Sequence, residues 1–269
     1  MSREAGLVIL VCAAQALAQV GAYAWPALLP GFLDLWQMDK AAAGVLTSLF
    51  YGAYLLSVPV LVSLTDRIDP RRVYLFGIAC TLAGHGLFAF AVDGPVLAGV
   101  ARVLAGIGFA GSYMTGLKLL GDRIEGRLFS RATAGHAASI GIAGALSFAF
   151  ADAVAGQVGW RGAFAAAFGC ALLALLIALT VMPRAAPRRQ AGPPPRLFDF
   201  GPVFRNRSAM AYAIAYSVHT WEMSVVRGWG VVFLGSVATG TAAGLPEGAG
   251  ARRLRHTAGP GRHRGQHPG

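Results

Sequence analysis

Several polar side chains in this sequence stand inside apolar runs, where their chemistry has to be accounted for. Arg102 interrupts the otherwise uncharged run 96–117. An arginine deep in hydrocarbon costs at least about 2.5 kcal/mol, so it should face a polar cavity or a partner. There it could contact an anion or tune a proton-carrying group; alternatively it snorkels to the interface about two turns away, near Pro95. Glu222 is the carboxylate best placed within an apolar run to carry a proton, and His219 lies one turn earlier on a similar face. Asp152 is the second such carboxylate, and Asp34 reads as an interface residue. Arg227 follows Glu222 by five positions, which takes it off that face. Gln15, Gln19 and Tyr23 recur every four residues and so form one stripe on a helix. Such a stripe faces either a water-filled cavity or a neighbouring helix, through interhelical hydrogen bonds of about 0.6 kcal/mol on average.

Other chemistries find less support. Ser112 with His85 or His136 could suggest a serine hydrolase, but nothing assembles a base, an orienting group and oxyanion donors around it. The chain is therefore expected not to be an enzyme. His85 and His136 lie among glycines and are expected to pack against small neighbours. Cys12, Cys80 and Cys170 sit singly in apolar runs, with no metal-ligand spacing and no disulfide framework, so no metal or cofactor is expected.

The elements that must position these residues are long and oily. Hydrophobic residues make up 55% of the chain and charged ones only 13%, half the share of a soluble domain. That balance predicts an all-α, multi-pass membrane protein whose main surroundings are the lipid bilayer. Apolar runs long enough for a crossing fall at 7–33, 41–64, 73–92, 96–121, 132–158, 163–182 and 209–237, about seven transmembrane helices. The first imitates a secretory signal, but it continues past Ala22-Tyr23-Ala24 and reads as an uncleaved helix bent by Pro26 and Pro30. The chain thus divides into a six-helix unit 1–183, a polar, proline-rich extended linker 184–207, a seventh helix 208–239 and a tail 240–269.

The net charge of +11 is concentrated in alternate loops and at the C-terminus. Aromatic residues do not interleave with the basic runs, so nucleic acid is not an expected partner. Arg67, Arg71, Arg72, Arg123, Arg127 and Arg131 share one side with the linker arginines, whereas only Lys40 and Arg161 lie opposite. The positive-inside rule puts the N-terminus, both loops and the linker in the cytoplasm, and a plasma (inner) membrane location is expected. The tail is rich in Arg, Gly, Pro and His and has no apolar period, so it is expected to be disordered. An out-of-frame translation of GC-rich DNA would read the same way.

Four stretches carry a resemblance. Leu64-Thr-Asp66-Arg67-Ile-Asp69-Pro70-Arg71-Arg72 is similar to the loop signature between helices two and three of the major facilitator superfamily, with Val62 and Asp69 where glycines are usual. Arg102-Val-Leu-Ala-Gly106-Ile-Gly108 resembles its fourth-helix signature. Gly159-Trp160-Arg161-Gly-Ala-Phe164 resembles the start of helix six, and Tyr216-Ser-Val-His219-Thr-Trp221-Glu222 the polar start of helix seven. The proline-bearing fifth-helix signature of exporters is absent from 139–147. The resemblance implies a helical bundle that transports a small-molecule substrate, with Asp66, Arg67, Arg71 and Arg72 gating from the inner loop. Proton-coupled import of an organic anion is the expectation, with Arg102, Gln15, Gln19, Tyr23, His219, Glu222 and Asp152 serving substrate or proton. An efflux antiporter and a non-transporting membrane fragment are the alternatives. Superfamily members have two six-helix halves, so this chain, ending after one helix of the second, is expected not to transport alone.

Overall fold

The computed structural model describes residues 3–182, 184 and 201–240, and every element among them is a helix. In order these are α1 (Arg3–Gln19), α2 (Ala24–Leu35), α3 (Lys40–Leu64), α4 (Pro70–Phe90), α5 (Pro95–Gly121), α6 (Gly126–Val181), α7 (Gly201–Arg205) and α8 (Arg207–Gly240). The tail from 241 onward and linker residues 185–200 lie outside the described residues. The end of the linker, expected to be extended, instead contains α7, with Pro202 in the first turn, where its missing N–H costs nothing.

The first crossing is broken rather than merely bent. Turns at 20–23 separate α1 from α2, with Ala22 N–H donating to Gln19 O (3.0 Å) and Ala24 N–H to Gly21 O (3.2 Å). The break precedes Pro26 because the proline ring excludes the carbonyl four residues back, that of Ala22. Pro30, by contrast, sits inside α2 without ending it.

Local signals start the next helices. Asp39 caps α3 by accepting from Ala42 N–H (2.7 Å), and Asp69 caps α4 by accepting from Arg71 N–H (2.9 Å). Pro70 and Pro95 occupy the opening positions of α4 and α5, which leave no unmet hydrogen bond there.

The 56 residues of α6 would run about 84 Å as one straight helix, nearly three times the hydrocarbon thickness. At Gly159 the backbone turns to φ 78°, ψ 172°, so 126–158 and 160–181 are two helices. Among the described residues, five helical stretches are long and apolar enough to cross a membrane: Glu4–Leu35, α3, α4, α5 and α6. With α6 folded at Gly159 they make six crossings. α8 is long enough for a seventh but carries His219, Glu222 and Arg227 mid-run, which keeps it out of that set.

Arg161, just past the corner, donates through Nη2 to Val92 O (2.7 Å) and lies 4.6 Å from the Trp160 ring centroid. It thereby satisfies a carbonyl beyond the end of α4, where a cation is also favoured. Gly159 has open space around its missing Cβ, yet its φ is one that only glycine adopts readily. Gly159→Ala should therefore cost about 1–3 kcal/mol despite meeting no atoms, read as a lower thermal midpoint in detergent.

α4 packs on α5, α5 on α3, α1 and α4 on α6, and α2 on both α6 and α8. At the end away from the basic loops, Trp25, Phe32, Phe88 and Phe164 form an aromatic core, with Phe88 and Phe164 stacked at 4.2 Å. At the basic end Val11, Tyr74, Ile78, Leu119, Leu120 and Ile124 fill the space between α1, α4 and α5. Leu55, Leu56, Phe90 and Val96 remain exposed, which suits a surface facing lipid.

Candidate functional site

The charged loops meet at one end of the bundle. Lys118 Nζ lies 3.2 Å from Asp66 Oδ1 and 3.7 Å from Asp122 Oδ1, tying the end of α3 to α5. Asp66 was expected to act beside arginines; its partner is this lysine. Asp69 and Asp122 face Arg123, whose guanidinium titrates below its usual value because partial burial outweighs those carboxylates. Arg67 and Arg72 are exposed.

Arg71 is buried and donates through Nη2 to Leu179 O (2.7 Å), joining the start of α4 to the last turn of α6. A guanidinium there meets unpaired carbonyls and the negative end of the helix. Arg71→Gln should lower stability by about 1.5–3 kcal/mol, the range for a hydrogen bond to a charged group. Asp66→Asn removes a half-exposed pair and should cost under about 1 kcal/mol. Thermal unfolding of the two variants side by side checks that order.

A second polar group lies within the membrane-spanning region. Arg102 is 4% exposed, so it does not reach out to the interface. Its Nε–H donates to Leu46 O (3.4 Å), and its guanidinium sits 4.3 Å from the Phe50 centroid and 6.0 Å from that of Trp25. Cation–π contact offsets part of the cost of burial, by roughly 0.5–2 kcal/mol, but leaves the charge unneutralised. Among the described residues no carboxylate lies within 4 Å of it.

The break in the first crossing places Tyr23 beside α8. Its backbone N–H donates to Ser147 Oγ (2.9 Å) and its ring stacks on Phe148 (5.5 Å). Arg227 Nη1 donates to the Tyr23 hydroxyl (3.0 Å), with the guanidinium 5.4 Å from that ring. Tyr51, half-buried on α3, lies in electrostatic reach of Tyr23, Arg102 and Arg227 and interacts with Ser224. Arg227 thus meets Tyr23, while Arg102 rests on Phe50, whose ring lies 5.2 Å from that of Tyr51.

The glutamine stripe behaves differently. Gln19 Nε2 donates to Ser112 Oγ (2.9 Å), which in turn donates to Gly108 O (3.0 Å). That is the interhelical alternative, and it holds α1 against α5. Gln15 is fully buried with both amide atoms unpartnered. Ser112 is thereby occupied as a structural hydroxyl. His136 Nε2 lies 3.0 Å from Tyr113 O, and its ring stacks on Tyr113 above Gly116. His85 fills the space beside Gly21, where a Cβ would come within 2.6 Å of its Nε2. Both histidines pack against glycines, as their surroundings in the sequence suggest.

Glu222 and His219 are exposed on α8, and Asp152 is half-buried on α6; none is brought to Arg102. The residue of α8 that reaches the bundle is Arg227, followed by Gly228 against Thr47 and Trp229 against Gly44. Nominating residues from the sequence missed Arg227, Tyr51 and Ser224. One signal was available for Arg227: its five-residue offset from Glu222 puts the two charges on different faces, so only one of them can face a given partner.

Comparison with known proteins bears on the fold. The family model for the Major Facilitator Superfamily matches residues 10–258. A peptide transporter POT in complex with sulfate is 14% identical at a TM-score of 0.56, covering 86% of this chain and 49% of that one. A variant of that transporter in complex with alafosfalin is 15% identical at a TM-score of 0.58, covering 86% and 48%. The POT family transporter PepTSo is 16% identical at a TM-score of 0.58, covering 93% and 54%. The chain spans about half the length of these solved structures. No curated protein matches it.

Proposed function

Because this chain belongs to the Major Facilitator Superfamily, we propose that it supplies the first six-helix half, and the helix after it, of a secondary transporter for a small organic anion. Residues 1–183 are the half, 184–207 the linker and 208–239 the start of the second half. The single observation that supports an anion is Arg102, buried with no carboxylate within 4 Å among the described residues. An intramembrane charge left without a protein partner is favourable only when something else neutralises it. A solute carboxylate does so, and pairing it with arginine gives two parallel hydrogen bonds as well as charge neutralisation.

Coupling to protons in the import direction remains part of this reading. Glu222, with His219 one turn away, is the carrier candidate on α8, and Asp152 the candidate on α6. The pair Lys118–Asp66 and the Arg71–Leu179 bond tie helix ends together at the basic end, where a gate would close. That end faces the cytoplasm, and the protein resides in the plasma (inner) membrane.

Thermal-shift titration of the purified chain in detergent tests the anion reading. Organic acids should raise the unfolding midpoint in a concentration-dependent way, as any ligand of the folded state does. Stabilisation by lipophilic cations instead, with none from acids, contradicts it.

A further inference from the structure

We propose that the anion site is a two-point clamp formed by Arg102 and Arg227 across the hydroxyls of Tyr23 and Tyr51, and that it selects solutes carrying two anionic groups on a short spacer. This rests on the anion reading above and narrows the substrate class. Arg227 donates to the Tyr23 hydroxyl at 3.0 Å, and Tyr51 stands in reach of both guanidiniums. Arg102 lies 4.3 Å from the Phe50 ring, itself 5.2 Å from that of Tyr51, and 6.0 Å from the ring of Trp25, two residues past Tyr23. A neutral phenol accepts a hydrogen bond but cancels no charge.

Neither guanidinium has a carboxylate within 4 Å among the described residues. Glu222, the nearest carboxylate along α8, is exposed, five positions from Arg227. Two like charges sharing low-dielectric surroundings repel each other and lose hydration, and a monoanion neutralises only one of them. A dicarboxylate neutralises both. The tyrosine hydroxyls then turn to donate to its oxygens, and Phe50 and Trp25 bound the space beside Arg102. Arg227 and Tyr51 are only half-buried, which leaves the clamp reachable from one side.

Isothermal titration of the detergent-solubilised full chain separates this proposal from the reading beneath it. The probes are succinate and phthalate as dianions, propionate and benzoate as monoanions, and tetraphenylphosphonium as a cation. The clamp predicts that each dianion binds at least tenfold more tightly than its monoanion counterpart. Arg227→Gln should weaken succinate at least tenfold while changing propionate less than threefold, and Arg227→Lys should restore much of the dianion preference. Retained propionate binding shows that the variant is folded. Equal binding of mono- and dianions, with Arg227→Gln without effect, overturns the clamp and leaves the anion reading standing. Binding of tetraphenylphosphonium alone overturns both.

Discussion

Arg102→Gln should weaken organic-acid binding by about 30- to 5000-fold without destabilising the fold. Removing one member of a buried hydrogen-bonded charge pair costs about 2–5 kcal/mol, which sets that range. The expected stability effect has a different sign from that of most buried substitutions. In the absence of solute, Arg102 is a buried cation whose Nε–H meets Leu46 O at a long 3.4 Å and whose guanidinium rests on Phe50. Deleting an unpaired charge removes a desolvation penalty, so the thermal midpoint of the variant should stay level or rise. A purely structural arginine would show the reverse: a lower midpoint and unchanged ligand affinity. Measuring midpoint and affinity on one preparation distinguishes the two roles.

Gly77→Ala should be severely destabilising although it adds a single methyl group. A Cβ at Gly77 would lie 2.5 Å from the Gly111 carbonyl carbon and 2.7 Å from Ser112 N. Those are backbone atoms, so no rotamer change relieves the contact, and α4 and α5 must separate. Gly108, one turn before Gly111, packs against Thr81 and Gly77 O of the same pair of helices. A loss of at least about 3 kcal/mol is expected, at or beyond the upper end for an overpacked core. The control is Gly52→Ala, where nothing lies within 4 Å, and which should change stability by less than about 0.5 kcal/mol. A monodisperse gel-filtration peak for the second variant and aggregate for the first is the expected pattern.

Much of this architecture was legible in the sequence because hydrocarbon imposes a strict length rule. A crossing needs about 20 apolar residues, and the loops that interrupt the runs are charged. The corner at Gly159 falls beside Trp160-Arg161-Gly162, where the turn was expected, although the backbone there stays helical on both sides. The break in the first crossing was harder to place. Pro26 announces it, but the strain falls on the preceding turn, so the kink belongs to Val20–Tyr23.

The polar groups were less legible, for a different reason. That Arg102 turns inward was one of two readings its own segment offers, the other being the interface near Pro95, and its 4% exposure decides between them. The company it keeps is not written in that segment, since Tyr23 lies in the turn before α2, Tyr51 on α3 and Arg227 on α8. Periodicity set Gln15, Gln19 and Tyr23 on one stripe, but the break after Gln19 separates them: Gln19 bonds Ser112 while Tyr23 meets Arg227. Likewise, Asp66 could have paired with any nearby cation, and the helix packing selects Lys118. Side-chain partnerships of this kind depend on which helices touch, and that information is not local.

The central claim is that a positively charged, water-reachable site lies between the first, second and fourth crossings and α8. The most direct measurement places a cysteine at Tyr51, in a chain with Cys12, Cys80 and Cys170 replaced, and compares thiol modification by anionic and cationic reagents of equal size. Two uncompensated guanidiniums raise the local concentration of anions, so the anionic reagent should react at least several-fold faster, and excess organic acid should slow it. Faster reaction with the cationic reagent, or no reaction with either, would contradict the claim.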